Sequence, residues 1–343
     1  MDGTLNAVIL AAGFGKRMQS DLPKVLHPLA GVPMLEHCLR AVAGVTGELP
    51  VVVIGHGADQ VRQAVGSHAR FVLQPEQLGT AHALQMAEPL LAGQPGLVLV
   101  ATGDMPLLTG ATFNRLVEMQ RSSPGPISML SVVLPDPHGF GRVVRGADGS
   151  VRAIVEEAQA TPDILAIREL NASVYCFDNR WLWDALRQIK RSPKGEYYLT
   201  DVVGVAVEQG LPVQALIADD PQEALGINTR QHLAEAAAVL RSRINARWML
   251  AGVSMIDPVN TYIDVDVRIG RETRLYPGTV LQGVAVIGTG CQIGPDAKIV
   301  NSELGNGCQV SYSVIEDSQL PDGTILEPFA HRRNNQDVSP SRV

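Results

Sequence analysis

The sequence predicts an α/β domain built on a mostly parallel sheet, followed by a linker helix and a short parallel β-helix. Three observations predict it. Between residue 6 and about residue 226, short aliphatic runs alternate with amphipathic stretches, the pattern of repeated strand–helix–strand units with helices on both faces of a sheet. From 229 to about 252 the letters turn strongly helical, with Ala234, Ala236, Ala237, Ala238, Leu240 and Ile244 set among Arg and Glu. After Pro258 a large aliphatic returns every six residues with a small residue four places on, as in Ile269/Thr273, Leu275/Thr279, Leu281/Ala285, Ile287/Cys291 and Ile293/Ala297. That period marks a β-helix, whose aliphatics stack inside a prism and whose corners need small side chains.

In chain order, Val8, Ile9 and Leu10 make the first strand candidate, 6–10. Ala11, Ala12, Gly13 and Gly15 follow with almost no side chain, so a polyanion can lie against bare backbone N–H groups. Lys16, Arg17 and Lys24 add mobile cations, the pairing that clustered phosphate charge demands. Two common glycine loops fail on the letters: Met18 stands where GxGxxG needs its third glycine, and Lys16 is followed by Arg17 where a Walker loop needs Ser or Thr. On the glycines alone an ordinary strand-to-helix turn is an equal reading, and Leu22-Pro23-Lys24 weigh against it.

Further strands are expected at 50–54, 70–73 and 97–101, with helices at 33–43, 58–65 and 80–91. In such sheets ligands bind beyond the carboxyl ends of strands. Thr102, Gly103 and Asp104 follow one such end. A carboxylate there suits a divalent ion that keeps most of its waters, and a turn aspartate bonding its own backbone is the competing reading. Gln74 follows another strand end, and Gly79-Thr80 opens a helix in which Thr80 reads as an N-cap and His82 as a surface or packed residue. The polar residues of 138–142, Glu156 in 154–157 and Asn171 in 170–175 read by themselves as strand-edge groups. The segment 194–201 reads as a helix start with a structural role, and Asn228 as the N-cap of the helix at 229–252.

Bulk composition bounds the function. With 343 residues the chain holds about two domains with real cores. Its net charge of -7 gives no support to nucleic-acid binding, so the basic N-terminal loop is better matched to a small anionic ligand. Cys38, Cys176, Cys291 and Cys308 are scattered without a CxxC, which indicates neither a zinc site nor a disulfide framework and fits a reducing, cytoplasmic setting. No apolar run approaches the ~20 residues that span a bilayer, and the first four residues lack a basic signal start.

Residues 10–31, LAAGFGKRMQSDLPKVLHPLAG, resemble the signature loop of the sugar-nucleotide pyrophosphorylases, and within them the bacterial N-acetylglucosamine-1-phosphate uridylyltransferases. The Gly-Asp at 103–104, the Gly-aromatic-Gly-Arg turn at 139–142, Ile154-Val155-Glu156, the Asn171 strand, GEYYLTD at 195–201 and Asn228 follow in the family's order, so the resemblance runs to about residue 333. It implies a Rossmann-like nucleotidyltransferase domain over 1–227, a linker helix over 228–252, a left-handed β-helix of hexapeptide repeats over 253–330 and a polar tail over 331–343. By resemblance Leu10, Ala11, Ala12 and Gly13 wrap the nucleoside triphosphate, while Arg17 and Lys24 are the catalytic cations that neutralise its phosphates. Gln74, Gly79 and Thr80 read the uracil ring, and Thr102 and Gly103 touch substrate. The Gly139 amide, Glu156 and Asn171 hold the sugar, and Asp104 and Asn228 hold Mg²⁺, with Asn228 also at the substrate.

The implied reaction joins UTP and N-acetylglucosamine 1-phosphate into UDP-N-acetylglucosamine and pyrophosphate. The repeat continues less regularly through Ile299, Leu304, Val310, Ile315, Leu320 and Ile325 and stops near Phe329, giving roughly three coils with Cys291 and Cys308 as packing residues. In the resembling families such β-helices pack as homotrimers, and an acetyltransferase site sits on later coils. Pro328–Arg333 begins that stretch before the polar tail, so acetyltransferase activity is expected to be absent. The alternatives are a pyrophosphorylase for another sugar 1-phosphate or for dTTP, or a non-catalytic sugar-nucleotide sensor. Retention of Lys24, Asp104 and Asn228 together argues against the sensor.

Overall fold

A computed structural model describes residues 3–137 and 139–338. The chain divides into two compact units, Met1–His27 with Pro33–His232, and Pro28–Val32 with Leu233–Val343. The division thus falls a few residues later than the sequence boundary at 227. It also assigns Pro28–Val32, most of a short hairpin of Pro28–Leu29 and Val32–Pro33, to the second unit. Backbone bonding explains that assignment, because the Val265 N–H donates to the Ala30 carbonyl at 3.0 Å.

The first unit is built on one sheet with strand order Val213–Ile217, Ile127–Val133, Glu169–Asp178, Gly96–Thr102, Thr4–Ala11, Val51–Ile54 and Arg70–Leu73. Only Glu169–Asp178 runs against its neighbours on this path. A hairpin of Arg142–Arg145 and Val151–Val155 attaches at Leu170. Thr4–Ala11 lies between two parallel partners, and its side chains divide strictly by parity. Leu5, Ala7, Ile9 and Ala11 join the core on one face, while Val8, Leu10 and Ala12 join the core on the other. A strand buried on both faces needs an unbroken apolar run, and residues 7–12 supply one.

The helix expected over 80–91 is two helices, Thr80–Gln85 and Glu88–Leu91. Pro89 has no N–H to donate into a continuous helix and its ring displaces the preceding turn, so it sits near the start of the second helix, where no donor is needed. The helix expected over 229–252 spans Arg230–Leu250.

The second unit is a parallel β-helix of three sheets. Along one face Met255, Leu275, Ile293 and Val310 stack in register, along the next Ile263, Leu281, Ile299 and Ile315, and along the third Ile269, Ile287, Leu304 and Leu320. That makes four coils, one more than the sequence period suggested. The first coil begins at Ser254, ahead of the regular repeat, and steps such as Ile299 to Leu304 and Ile315 to Leu320 are one residue short of six. Leu275, Leu281, Ile293 and Ile299 are fully buried, each stabilising the prism by about 1.5–3 kcal/mol. Thr273, Thr279, Ala285, Cys291 and Ala297 fill the corners and are buried. The Cys291 and Cys308 thiols donate to the Gly305 and Pro321 carbonyls at 3.2 and 3.3 Å, a packing role.

Two expectations at the end of the repeat are corrected. Ile325 is exposed, and Leu326 packs toward the core in its place. The segment read as the start of a polar tail instead adds a strand, His331–Arg333, parallel to Val314–Glu316, with Gln336–Asp337 folded back on it. Its charges do not oppose this, because Glu316 pairs with Arg333 at 3.0 Å. Residues 339–343 of that expected tail lie outside the described residues. Among the described residues no helix is long and apolar enough to cross a membrane.

Candidate active site

The strand Thr4–Ala11 delivers its C-terminal end into a loop whose path depends on Gly15. This residue has φ +63°, and a Cβ on it would stand 2.6 Å from Lys24 Cβ. Glycine therefore lets the loop lie directly on the lysine stem. The His56 N–H donates to the Ala12 carbonyl at 3.2 Å, and Arg230 Nε to the Met18 carbonyl at 3.2 Å, so both ends of the loop are tied down. Lys16 and Arg17 are exposed. The Lys16 ammonium lies 5.5 Å from the Phe14 ring centroid.

The floor of the site is a three-residue cluster. Lys24 Nζ donates to Asp104 Oδ2 at 2.5 Å and to Asn228 Oδ1 at 3.1 Å. Both charged side chains are largely buried, 14% and 19% exposed, so the pair is stronger than a solvent-screened one. Backbone bonds fix the acceptors: the Gly103 N–H donates to the Leu10 carbonyl and the Ile227 N–H to the Asp104 carbonyl, each at 2.9 Å. Asn228 is not the helix cap that its sequence position suggested. Thr229 takes that role, its Oγ1 accepting from the His232 N–H at 3.2 Å, which leaves the Asn228 amide oxygen for Lys24. Cys38 backs this floor, its thiol donating to the Thr102 carbonyl at 3.8 Å. Burial, with the Asp104 charge, pushes that thiol up to about 12 and keeps it neutral.

The donor set suits a hard divalent ion. Asp104 and Asn228 already converge on one cation, the Lys24 ammonium, and one carboxylate with one amide oxygen leaves the remaining positions to water and phosphate. No group of three or more His, Cys, Asp or Glu among the described residues forms an all-protein cage.

Above the floor opens a cleft of ≈ 680 Å³. Leu10, Ala11, Ala12, Gly13, Arg17 and Lys24 front it from the loop; Gln74, Gly79, Thr80, Thr102 and Asp104 front it from other strand ends. Gln74 is buried, its Nε2 donating to the Gly79 carbonyl at 3.1 Å and lying 3.1 Å from His82 Nδ1, so His82 is a packed residue that orders this amide. Thr80 is not an N-cap. Gly79 holds that position, and the Thr80 hydroxyl accepts from the Leu199 N–H at 2.9 Å.

That bond exposes what sequence reasoning missed. The segment read as structural, 194–201, brings Glu196 and Tyr198 to the cleft wall. The Tyr197 N–H donates to the Leu78 carbonyl at 2.8 Å and its carbonyl accepts from the Ala81 N–H at 3.0 Å. Nothing local in 194–201 signals this, because its partners are over a hundred positions away.

A smaller recess of ≈ 150 Å³ shares Leu10, Thr80 and Thr102 with the cleft and adds Glu156, Ser173, Tyr175 and Thr200. Thr200 Oγ1 donates to Glu156 Oε1 at 3.2 Å. Burial pushes the Glu156 carboxyl above its ordinary value, with the Asp201 charge adding to the effect and the Thr200 bond and Lys194 opposing it. Asn171 and Gly139 lie outside both hollows. The strand Glu169–Asp178 shifts register between Asn171 and Tyr175, with Ser173 at φ +55°, and this bulge turns the Asn171 amide onto its own strand. Asn171 Oδ1 accepts from the Ser173 N–H and the Tyr175 hydroxyl, both at 3.1 Å. The Gly139 N–H donates to the Glu157 carboxylate, so the sugar contact expected of that amide requires Glu157 to withdraw. His138, at the head of that turn, lies outside the described residues.

Residues 7–196 match the family described as the MobA-like NTP transferase domain. The chain is 45% identical over 333 residues to the bifunctional protein GlmU of Shouchella clausii, covering 97% of this chain and 73% of that one. It is 43% identical over 335 residues to that of Brevibacillus brevis, covering 97% and 73%. To that of Heliobacterium modesticaldum it is 45% identical over 328 residues, covering 95% and 72%. Matching of this extent means that the chain belongs to the GlmU family and is a nucleotidyltransferase.

Proposed function

We propose that this chain transfers the uridylyl group of UTP to N-acetylglucosamine 1-phosphate, forming UDP-N-acetylglucosamine and releasing pyrophosphate. The observation that carries the reading is the Lys24, Asp104 and Asn228 cluster under a glycine loop. A sugar phosphate oxygen attacks the α-phosphorus as the bond to the β-phosphate oxygen breaks, and no covalent protein intermediate is needed, because alignment and charge neutralisation lower the barrier. Backbone N–H groups of 11–13 cradle the phosphates, Lys24 and the exposed Arg17 take charge developing on pyrophosphate, and Gln74 with the Gly79-Thr80 backbone reads the base edge. Glu156, oriented by Thr200, accepts from a sugar hydroxyl. Mg²⁺ is the ion proposed for Asp104 and Asn228, and when bound it would supply positive charge that offsets the charge of the phosphates.

The test is pyrophosphate release from UTP, N-acetylglucosamine 1-phosphate and Mg²⁺, beside dTTP and glucose 1-phosphate. Release with the first pair, exceeding the others, is expected; preference for another pair moves the substrate assignment, and silence in every pair favours a sensor. A homotrimer formed through the β-helix belongs to the same proposal. It is supported by the apolar, exposed Val284 and Val286 beside Trp248, whose indole Nε1 is buried without a partner. Light scattering should give three times 36.7 kDa, and a monomeric mass rejects it. A cytoplasmic setting is also proposed, supported by four free, buried thiols.

A further inference from the structure

The Lys24 ammonium occupies the position a divalent ion would take. Its Nζ bonds the two oxygens best placed to ligate metal, Asp104 Oδ2 at 2.5 Å and Asn228 Oδ1 at 3.1 Å. An ion ligated by the same oxygens at about 2.1 Å would lie within a few ångströms of the ammonium, a repulsion that partial burial magnifies. The two cations therefore exclude each other. Asp104 nevertheless needs one of them, since a largely buried carboxylate left unpaired is costly.

The lysine can give way only by moving its side chain. Its backbone is held in a short turn, the Leu26 N–H donating to the Pro23 carbonyl at 2.9 Å and the His27 N–H to the Lys24 carbonyl at 3.2 Å, and its Cβ rests against Gly15. The four-carbon stem pivots about that fixed base, and the phosphate loop lies on the same base. A triphosphate in the cleft offers the released ammonium new anionic acceptors.

We propose that Lys24 is a place-holding cation, which keeps the metal-ligating pair neutralised and assembled in the free protein and yields it only when nucleotide draws the ammonium away. Metal and nucleotide then load together, and metal alone binds poorly. Coupling of this kind is reciprocal, so each ligand strengthens the other by the same factor. The inference rests on Asp104 and Asn228 as the metal-binding pair.

The experiment is calorimetric titration of the full chain with Mn²⁺, with and without UTP, for wild type, Lys24→Met and Lys24→Met/Asp104→Asn. Lys24→Met should bind Mn²⁺ alone about tenfold or more tightly than wild type, equivalent to about 1.4 kcal/mol. Mn²⁺ alone should raise the melting temperature of Lys24→Met and leave that of wild type unmoved, and Asp104→Asn should abolish the gain. Equal binding of Mn²⁺ alone by wild type and Lys24→Met overturns the proposal, as does weaker binding by the variant. A measurement on unaltered protein guards against misfolding of the variant. Labelling of Lys24 by acetic anhydride should be unchanged by Mn²⁺ alone and altered by Mn²⁺ with UTP, and a change with Mn²⁺ alone overturns the proposal equally. If no form binds Mn²⁺ even with UTP, the metal pair itself is wrong, whereas failure of the sugar-nucleotide reading shows separately as absent pyrophosphate release.

Discussion

Replacing Gly79 by alanine tests whether the wall of the cleft is held by backbone geometry. Gly79 has φ +104° and ψ 177°, a region essentially closed to other residues, which costs about 1–3 kcal/mol. A Cβ there would also stand 2.5 Å from the Tyr197 carbonyl oxygen and 2.7 Å from its nitrogen. Both are backbone atoms, so the 78–81 loop and the 196–198 segment must separate. Their separation strains the Tyr197-to-Leu78 and Ala81-to-Tyr197 bonds, worth about 1 kcal/mol each. The total is about 3–5 kcal/mol, a large share of the ~5–15 kcal/mol that holds a domain together. Gly93→Ala is the control, because Gly93 has φ +79° with nothing within 4 Å, and should cost only about 1–2 kcal/mol for its backbone. Urea unfolding of both variants measures the difference, and the KM for nucleotide should rise for Gly79→Ala alone, since Gln74, Glu196 and Tyr198 lose their common anchor. If the two variants unfold alike and Gly79→Ala keeps its KM, the closeness of the two segments does not hold the site and the reasoning fails.

Other consequences are equally direct. Asp104→Ala should lower turnover by on the order of 10²-fold or more while circular dichroism stays native, as loss of several kcal/mol of charge stabilisation requires; wild-type-like rates would sink the metal assignment. The Glu156 carboxyl is pushed above its ordinary value of 4.5 by burial. As pH falls through that raised value it takes up a proton and loses its charge-assisted bond to a sugar hydroxyl, so kcat/KM for sugar phosphate should fall on the acid side, and Glu156→Gln should flatten that limb. Glu169 moves the other way: burial alone would raise it, but the Arg145 and Ser131 bonds outweigh this and lower it. Its contribution to stability is therefore present above 4.5 and lost as pH falls through the lowered value, so Glu169→Gln should make acid unfolding less steep. Leu281→Ala, in the middle of a fully buried column, should cost about 2–5 kcal/mol in thermal or urea unfolding; a cost under about 1 kcal/mol would mean the prism does not depend on its stacked aliphatics.

The sequence by itself determined the inside of each element. Alternate residues of 7–12 had to divide between two cores because a strand buried on both faces has no polar side. The six-residue period had to close into a prism because only that path stacks Leu275 on Ile293 and Leu281 on Ile299. The glycine loop was legible for the same reason, since bare backbone followed by cations is a local property of residues 11–24. Irregular steps after Ile299 and the proline inside 80–91 blurred boundaries, because period and propensity are averages over a window.

Only the tertiary structure decided which residues meet. Lys24 lies 80 positions from Asp104 and 204 from Asn228, and the strand order brings them within one cation's reach. The same order presses Tyr197 onto Gly79 and sets Thr200 against Glu156, giving 194–201 a place in the site that its letters do not announce. A bulge between Asn171 and Tyr175 turned the Asn171 amide onto its own strand, against the Ser173 N–H and the Tyr175 hydroxyl. Local physics selects which face of an element is buried; the pairing of distant strands selects what that face is buried against, and the chemistry of this site lies in the second choice.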